Sequence, residues 1–312
     1  MEFIPFLNTI GALFIMLSVG FFAGKIGIID GVASKRLSKL IINIAQPALH
    51  IHALIGVEYS PETLKLGLIS LGLGFGIHAF VAVAAFLACF KFKVADERKI
   101  TELAMVFGNC GFIGIPIMRS LFGEEGAFMT AFFIVSYNVF LWTWGMMILG
   151  RGRTDIKLTV RKAFINLGTV PSAIGFVLFL MPFELPEFMV SSLGYISSLC
   201  TPVSMLIIGA LLAGRTLKQI FCEGKAYYLC FFKLVAIPMA VCLIMKLLGF
   251  GDNWVLFSAA ITAMPSATSV TMFAELHDIS QGYSAQCVGT SSLLSLATMP
   301  LVIYLAGLVI TI

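Results

Sequence analysis

Acidic and basic side chains are scarce, only 12% of the 312 residues, against about 25% in soluble domains. Apolar residues take their place at 59%, and the mean hydropathy is +1.01. A spanning helix takes roughly 20 apolar residues, so a chain of this length has room for about ten spans and none for a soluble catalytic or nucleic-acid-binding domain. Metal and disulfide patterns are missing too. The seven cysteines form no CxxC pair, and nearly all lie in apolar segments, as small buried residues do. There is no HExxH helix, no GxGD and no Ser/His pairing at matching depth, which argues against an intramembrane enzyme. Every aspartate (30, 96, 155, 252 and 278) falls in a loop or at a span end. The carboxylate pair with which a sodium/proton antiporter would bind its cation is therefore lacking.

What is present is a series of apolar stretches. Ten spans are expected, at residues 6–24, 37–56, 66–90, 100–121, 126–149, 164–181, 188–213, 226–248, 253–275 and 282–312, the last with a bend or frayed end at Pro300. The start, Met1-Glu2-Phe3-Ile4, is acidic where a signal peptide is basic, and no Ala-x-Ala follows, so the first stretch reads as a retained span. Sixteen of the 20 basic residues lie in or beside the odd connections, and only Lys65, Arg119 and Lys246 beside the even ones. Positive loops stay cytoplasmic. The expected topology is multi-pass in a cell inner or plasma membrane, with both termini outside the cytoplasm.

The basic fifth connection splits the chain into residues 1–150, a cytoplasmic linker at 151–162, and residues 163–312. Five spans per half is an odd number, so the second half must be inserted upside down. Faint internal similarity agrees. Pro47 in Ile44-Ala45-Gln46-Pro47 matches Pro202 in Leu199-Cys200-Thr201-Pro202, each in the second span of its half. In the fourth span of each half, Gly108-Asn109-Cys110-Gly111-Phe112-Ile113-Gly114-Ile115-Pro116 matches Ala263-Met264-Pro265-Ser266-Ala267-Thr268. The expected fold is an all-α polytopic membrane protein, with ten transmembrane helices as two inverted five-helix repeats and crossed, broken helices 4 and 9.

Glycine and proline weaken helical hydrogen bonding, and backbone freed in this way must be covered by protein or line a wet cavity. Paired interruptions in two halves point to a transport site. Asn109 supplies two donors and an acceptor, and the glycines let a ligand approach the backbone. Pro265 is suited to the first position of a new half-helix, whose free amides from Ser266 onward would favour a carboxylate.

These motifs resemble the GNxGFxGxP signature of the auxin efflux carrier family. Met264-Pro265-Ser266-Ala267 and the Leu-Ile-Ile-Gly-Ala-Leu-Leu pattern within Pro202–Gly214 are similar to that family as well. Cys110 stands where the family has a small or hydroxylated residue. The resemblance implies carriers of organic anions, auxin in plants and malonate or malate in bacteria. It also implies inverted repeats, a crossover of helices 4 and 9, and elevator-like motion of a transport domain against a scaffold. The short central loop looks bacterial.

Buried polar residues inside spans usually face a cavity, so Gln46 and Asn138 join the candidate lining. The full substrate-binding set is Asn109, Cys110, Gly111, Pro116, Pro265, Ser266, Ser269, Gln46 and Asn138. His50, His52 and His78 read as packing residues, since imidazoles two apart point to different helix faces. Lys233 is expected to snorkel to the cytoplasmic interface. Neither a catalytic residue nor a metal ligand is expected, and no cofactor. Coupling to a sodium ion or a proton stays open, and hydroxyls such as Ser266, Thr268, Ser269 and Ser136 could coordinate sodium. Partners are a small organic anion and the lipid bilayer, with a homodimer left open and no nucleic acid. A cation-coupled symporter or sodium/proton antiporter of the same crossed-helix design is the alternative.

Overall fold

Most irregular turns in this chain sit beside a proline or glycine, and the smooth helices between them carry the packing. A computed structural model describes residues 3–153, 165, 168–181, 185–214 and 224–311. The expected linker at 151–162 lies outside the described residues from 154 onward. Among the described residues the fold is all-α, apart from an isolated antiparallel bridge between Gly108 and Ser266. Six helical stretches are long and apolar enough to cross a membrane by length and composition: Asn8–Lys25, Pro61–Ala88, Cys110–Gly150, Glu187–Ala213, Gly224–Leu247 and Gln281–Thr311. Their outward faces carry large apolar side chains such as Ile15, Phe22 and Leu87, as a surface facing lipid would.

The first half of the chain contains α1 (Phe3–Lys25), α2 (Gly31–Leu40), α3 (Gln46–Ile55), α4 (Pro61–Ala88), α5 (Ala95–Val106), α6 (Ile115–Phe140) and α7 (Met146–Gly150). The second contains α8 (Thr169–Leu180), α9 (Glu187–Ser198), α10 (Cys200–Ala213), α11 (Gly224–Phe231), α12 (Ile237–Leu247), α13 (Asp252–Thr262), α14 (Thr268–Leu276) and α15 (Gln281–Thr311). Wider π-helical turns at Ile41–Ala45, Cys110–Gly114 and Phe232–Ala236 each end two residues before a proline: Pro47, Pro116 and Pro238. Proline has no N–H to donate, and its ring crowds the carbonyl four residues back. A turn closed one residue wider accommodates it without ending the helix. The helix α15, by contrast, runs on through Pro300.

The stretch Cys110–Gly150 has 41 residues, about 60 Å of helix where the hydrocarbon core is ~30 Å. Gly123, at φ 66° and ψ −155°, interrupts it. Only glycine takes such a conformation readily. Beyond it the chain doubles back, so closely that a Cβ on Gly126 would overlap the Met118 carbonyl. The turn falls between the expected spans four and five.

Contacts divide the chain into two units, each drawing on both halves. The first holds residues 1–75, 111–143 and 158–214, and the second 76–110, 144–157 and 215–312.

In the first unit, α1 packs on α10 through small residues. A Cβ on Gly20 would overlap the Leu206 backbone, and one on Gly209 the Leu17 carbonyl. Small residues let membrane helices approach until their backbones touch. Gly209→Val should therefore force the two helices apart and destabilise the fold by about 1–3 kcal/mol. Thermal unfolding in detergent measures this, and an unchanged midpoint would contradict the packing. Beside this pair, His50 Nδ1 lies 3.2 Å from the Gly168 carbonyl, to which Ser172 Oγ donates at 2.8 Å. The packing role expected of His50 agrees with these contacts. A cluster of Phe128, Phe132, Phe176 and Phe179 completes this core.

In the second unit, α13 packs on α12 and α15, and α11 on α15. Glu102 of α5 is 1% exposed and accepts from Arg98 at 2.8 Å and from Arg151 at 2.6 Å. Both guanidiniums also lie over the Phe86 ring. Lys225 pairs with Glu97, and Arg153 donates to the His277 carbonyl. Bases from three separate connections thus converge on this end of the unit.

Candidate functional site

Two helices stop where a regular helix would have continued. The helix α5 ends at Val106, Phe107 turns extended at φ −95° and ψ 108°, and the π-helical turn begins only at Cys110. On the other side α13 ends at Thr262 and α14 starts at Thr268. Each break leaves backbone groups without a helical partner, and each supplies the other's. Ala267 N–H donates to the Phe107 carbonyl at 2.9 Å, and Asn109 N–H to the Pro265 carbonyl at 2.7 Å. The bridge of Gly108 with Ser266 lies between these two bonds.

Ser266, fully buried, locks the arrangement. Its hydroxyl donates to the Ala104 carbonyl at 2.9 Å, covering an acceptor in the last turn of α5. Its N–H donates to Ser291 Oγ of α15 at 3.1 Å. Much of the backbone demand of the two interruptions is thus met within protein, as a low-dielectric setting requires.

Asn109, Cys110, Pro265 and Ser266 are therefore brought together. Two expectations about them need correction. Pro265 does not open a half-helix: it lies in the extended break, three residues before α14, and its carbonyl serves Asn109. The amides of Ser266 and Ala267 are not free either, because one meets Ser291 and the other Phe107. Pairing across the breaks outweighs an immediate restart of the helix. Ser269 sits in the first turn of α14, whose N-terminal end offers the favourable side of a helix dipole to an anion. The His78 ring packs against Phe107, 6.3 Å between centroids, in line with a packing role.

Lys233 differs most from expectation. It does not snorkel outward: it is 3% exposed, in the wide turn between α11 and α12. Its Nζ lies 3.1 Å from where a Cβ on Gly108 would stand. A side chain at Gly108 would crowd the ammonium. Sequence reasoning missed Lys233 and Ser291; the usable signal was an unpaired lysine inside an apolar run that also carries a proline.

The remaining candidates belong to the first unit. Gly111 lies in the wide turn after the break, and Pro116 is the second residue of α6, both partly exposed. Gln46 begins α3 and is partly exposed. Asn138 is 4% exposed, and its Nδ2 has no hydrogen-bond partner among the described residues. It packs so tightly on Gly168 that a Cβ there would overlap its amide.

Paired interruptions of this kind, in a chain of apolar helices, define a membrane transport protein, and comparison with known proteins agrees. Residues 5–303 match the family model described as "Membrane transport protein", and the chain belongs to that family. This bears out the resemblance to the auxin efflux carriers. Among relatives, an uncharacterized transporter of Methanocaldococcus jannaschii is 27% identical over 95% of this chain and 97% of its own. An uncharacterized transporter of Methanothermobacter thermautotrophicus is 24% identical over 96% and 98%. A Rhizobium meliloti protein named "Putative malonate transporter" is 23% identical over 93% of this chain and 92% of its own. Family and relatives are transporters, which points away from an enzyme.

Proposed function

We propose that the chain is a secondary active transporter of small organic anions, mono- or dicarboxylates, working by elevator-type alternating access. The observation that carries this reading is the mutual hydrogen bonding of the two helix breaks, which brings Asn109 and Ser266 together inside an apolar unit. The name of the Rhizobium meliloti relative favours a small dicarboxylate.

The topology we propose has ten spans in two inverted repeats, residues 1–150 and 163–312. Six long stretches reach ten when Cys110–Gly150 is divided at Gly123 and the shorter helices are added. These are the helix pair at 31–55, the broken pair at 252–276 and Thr169–Leu180, while α5 joins the first part of the divided stretch as the broken pair at 95–122. Interleaved units that each take segments from both halves fit such repeats. The gathering of Arg98, Arg151, Arg153 and Lys225 at one end supports odd connections on a common, cytoplasmic side.

Cation-coupled transport is the second reading. Thr271 and Ser292 favour it, because both hydroxyls are buried without a hydrogen-bond partner among the described residues. An antiporter is less well supported. Glu102 is the only buried carboxylate among the described residues, and two arginines hold it.

Proteoliposomes test the proposal. Labelled malonate should enter saturably, and unlabelled malate should compete. Sodium or proton flux with no organic anion present would support the second reading, and no acid flux at all would contradict the first.

A further inference from the structure

We propose that Lys233 is a substrate-binding residue whose ammonium is the fixed counter-charge for the carboxylate of the transported anion. This rests on the organic-anion reading of the paired breaks and adds the group that recognises charge there.

Placement is the first argument. Lys233 Nζ lies 3.1 Å from where a Cβ on Gly108 would stand, and the neighbours of Gly108, Phe107 and Asn109, hold the pairing with the break before α14. The ammonium therefore lies against the pairing itself. Lys233 is the second residue of the wide turn at Phe232–Ala236, which ends two residues before Pro238.

Lack of compensation is the second. Two lysines are buried among the described residues, Lys99 and Lys233. Lys99 pairs with Asp96 at 3.2 Å. Lys233, 3% exposed, makes no hydrogen bond or ion pair with any described residue. Glu102, the buried acid of the same unit, already serves Arg98 and Arg151. A cation held from water without a counter-charge is costly. A carboxylate brought by the substrate offsets that cost and forms a charge-assisted bond, about twice as strong as a neutral one. Asn109 alone would bind an acid and its amide with little preference; an ammonium separates the two.

The test compares malonate with malonamide, in which both carboxylates are replaced by neutral amides. Half-saturation for both is measured in proteoliposomes of wild type, Lys233→Met, Lys233→Arg and Gly108→Ala. The wild type should prefer malonate by about tenfold or more, as expected for one charge-assisted hydrogen bond. Lys233→Met should lose that preference, and Lys233→Arg should keep part of it. Gly108→Ala, which keeps the charge but crowds Nζ, should reduce the preference, and it carries the test if Lys233→Met does not fold. A wild-type preference that survives in Lys233→Met, or in Gly108→Ala where Lys233→Met does not fold, overturns the inference alone. Variants that retain the preference but acquire a sodium requirement also overturn it, making the ammonium a tethered stand-in for a coupling cation. A wild type that does not carry malonate overturns the functional reading and this inference with it.

Discussion

Asn109→Ala is expected to raise the half-saturation concentration for the transported acid by about ten- to a hundredfold, the loss of one buried hydrogen bond to a charged ligand at about 1–3 kcal/mol. The side chain is 3% exposed and stands in the break. The break itself should survive the substitution, because the Asn109 backbone amide, not the side chain, bonds Pro265. Unfolding temperature should therefore move little while apparent affinity falls. If affinity is unchanged across malonate, malate and related acids, recognition lies elsewhere, and Gln46 and Asn138 become the residues to test.

A second large effect is expected at Glu102, and the order of the variants is the prediction. Removing both Arg98 and Arg151 leaves a carboxylate that is 1% exposed without its cations. Breaking a buried pair in that way costs about 3–5 kcal/mol. Glu102→Ala should cost less, because the two guanidiniums, 25% and 37% exposed, can turn toward water. Both also keep their place over Phe86, worth about 0.5–1 kcal/mol each. Adding Glu102→Ala to the double arginine variant should recover part of its stability. Denaturation of the four proteins in detergent gives the ranking, and a Glu102 variant less stable than the double arginine variant would contradict the burial argument.

The interruption at Gly108–Pro116 was legible in the sequence because glycine and proline act on backbone they directly adjoin. Its partner near Pro265 was legible through matching positions in the two halves. How the breaks satisfy one another was not. The non-helical course of residues 265–267 is set by a segment some 160 positions away, and local preference alone would have restarted the helix at Pro265. The depth of Lys233 was illegible for a related reason. Seven residues into an expected span, a lysine usually reaches the interface, but this one lies buried in a widened turn with its Nζ beside Gly108. Glu102 carried a weaker hint, an acid just inside a span beside a basic loop, and its arginine at 151 becomes visible only in the folded chain. The reversal at Gly123, by contrast, was placed correctly from a short polar gap between apolar runs.

The measurement that tests the account most directly is the rate at which a thiol reagent alkylates Cys110 in purified protein whose other cysteines have been replaced. Cys110 opens the wide turn immediately after the bridge and is 3% exposed. With saturating malonate the account predicts slower alkylation than in chloride at equal ionic strength, because the acid covers the break. Alkylation at the same or a higher rate, in protein that carries malonate, would contradict a site built on the paired breaks.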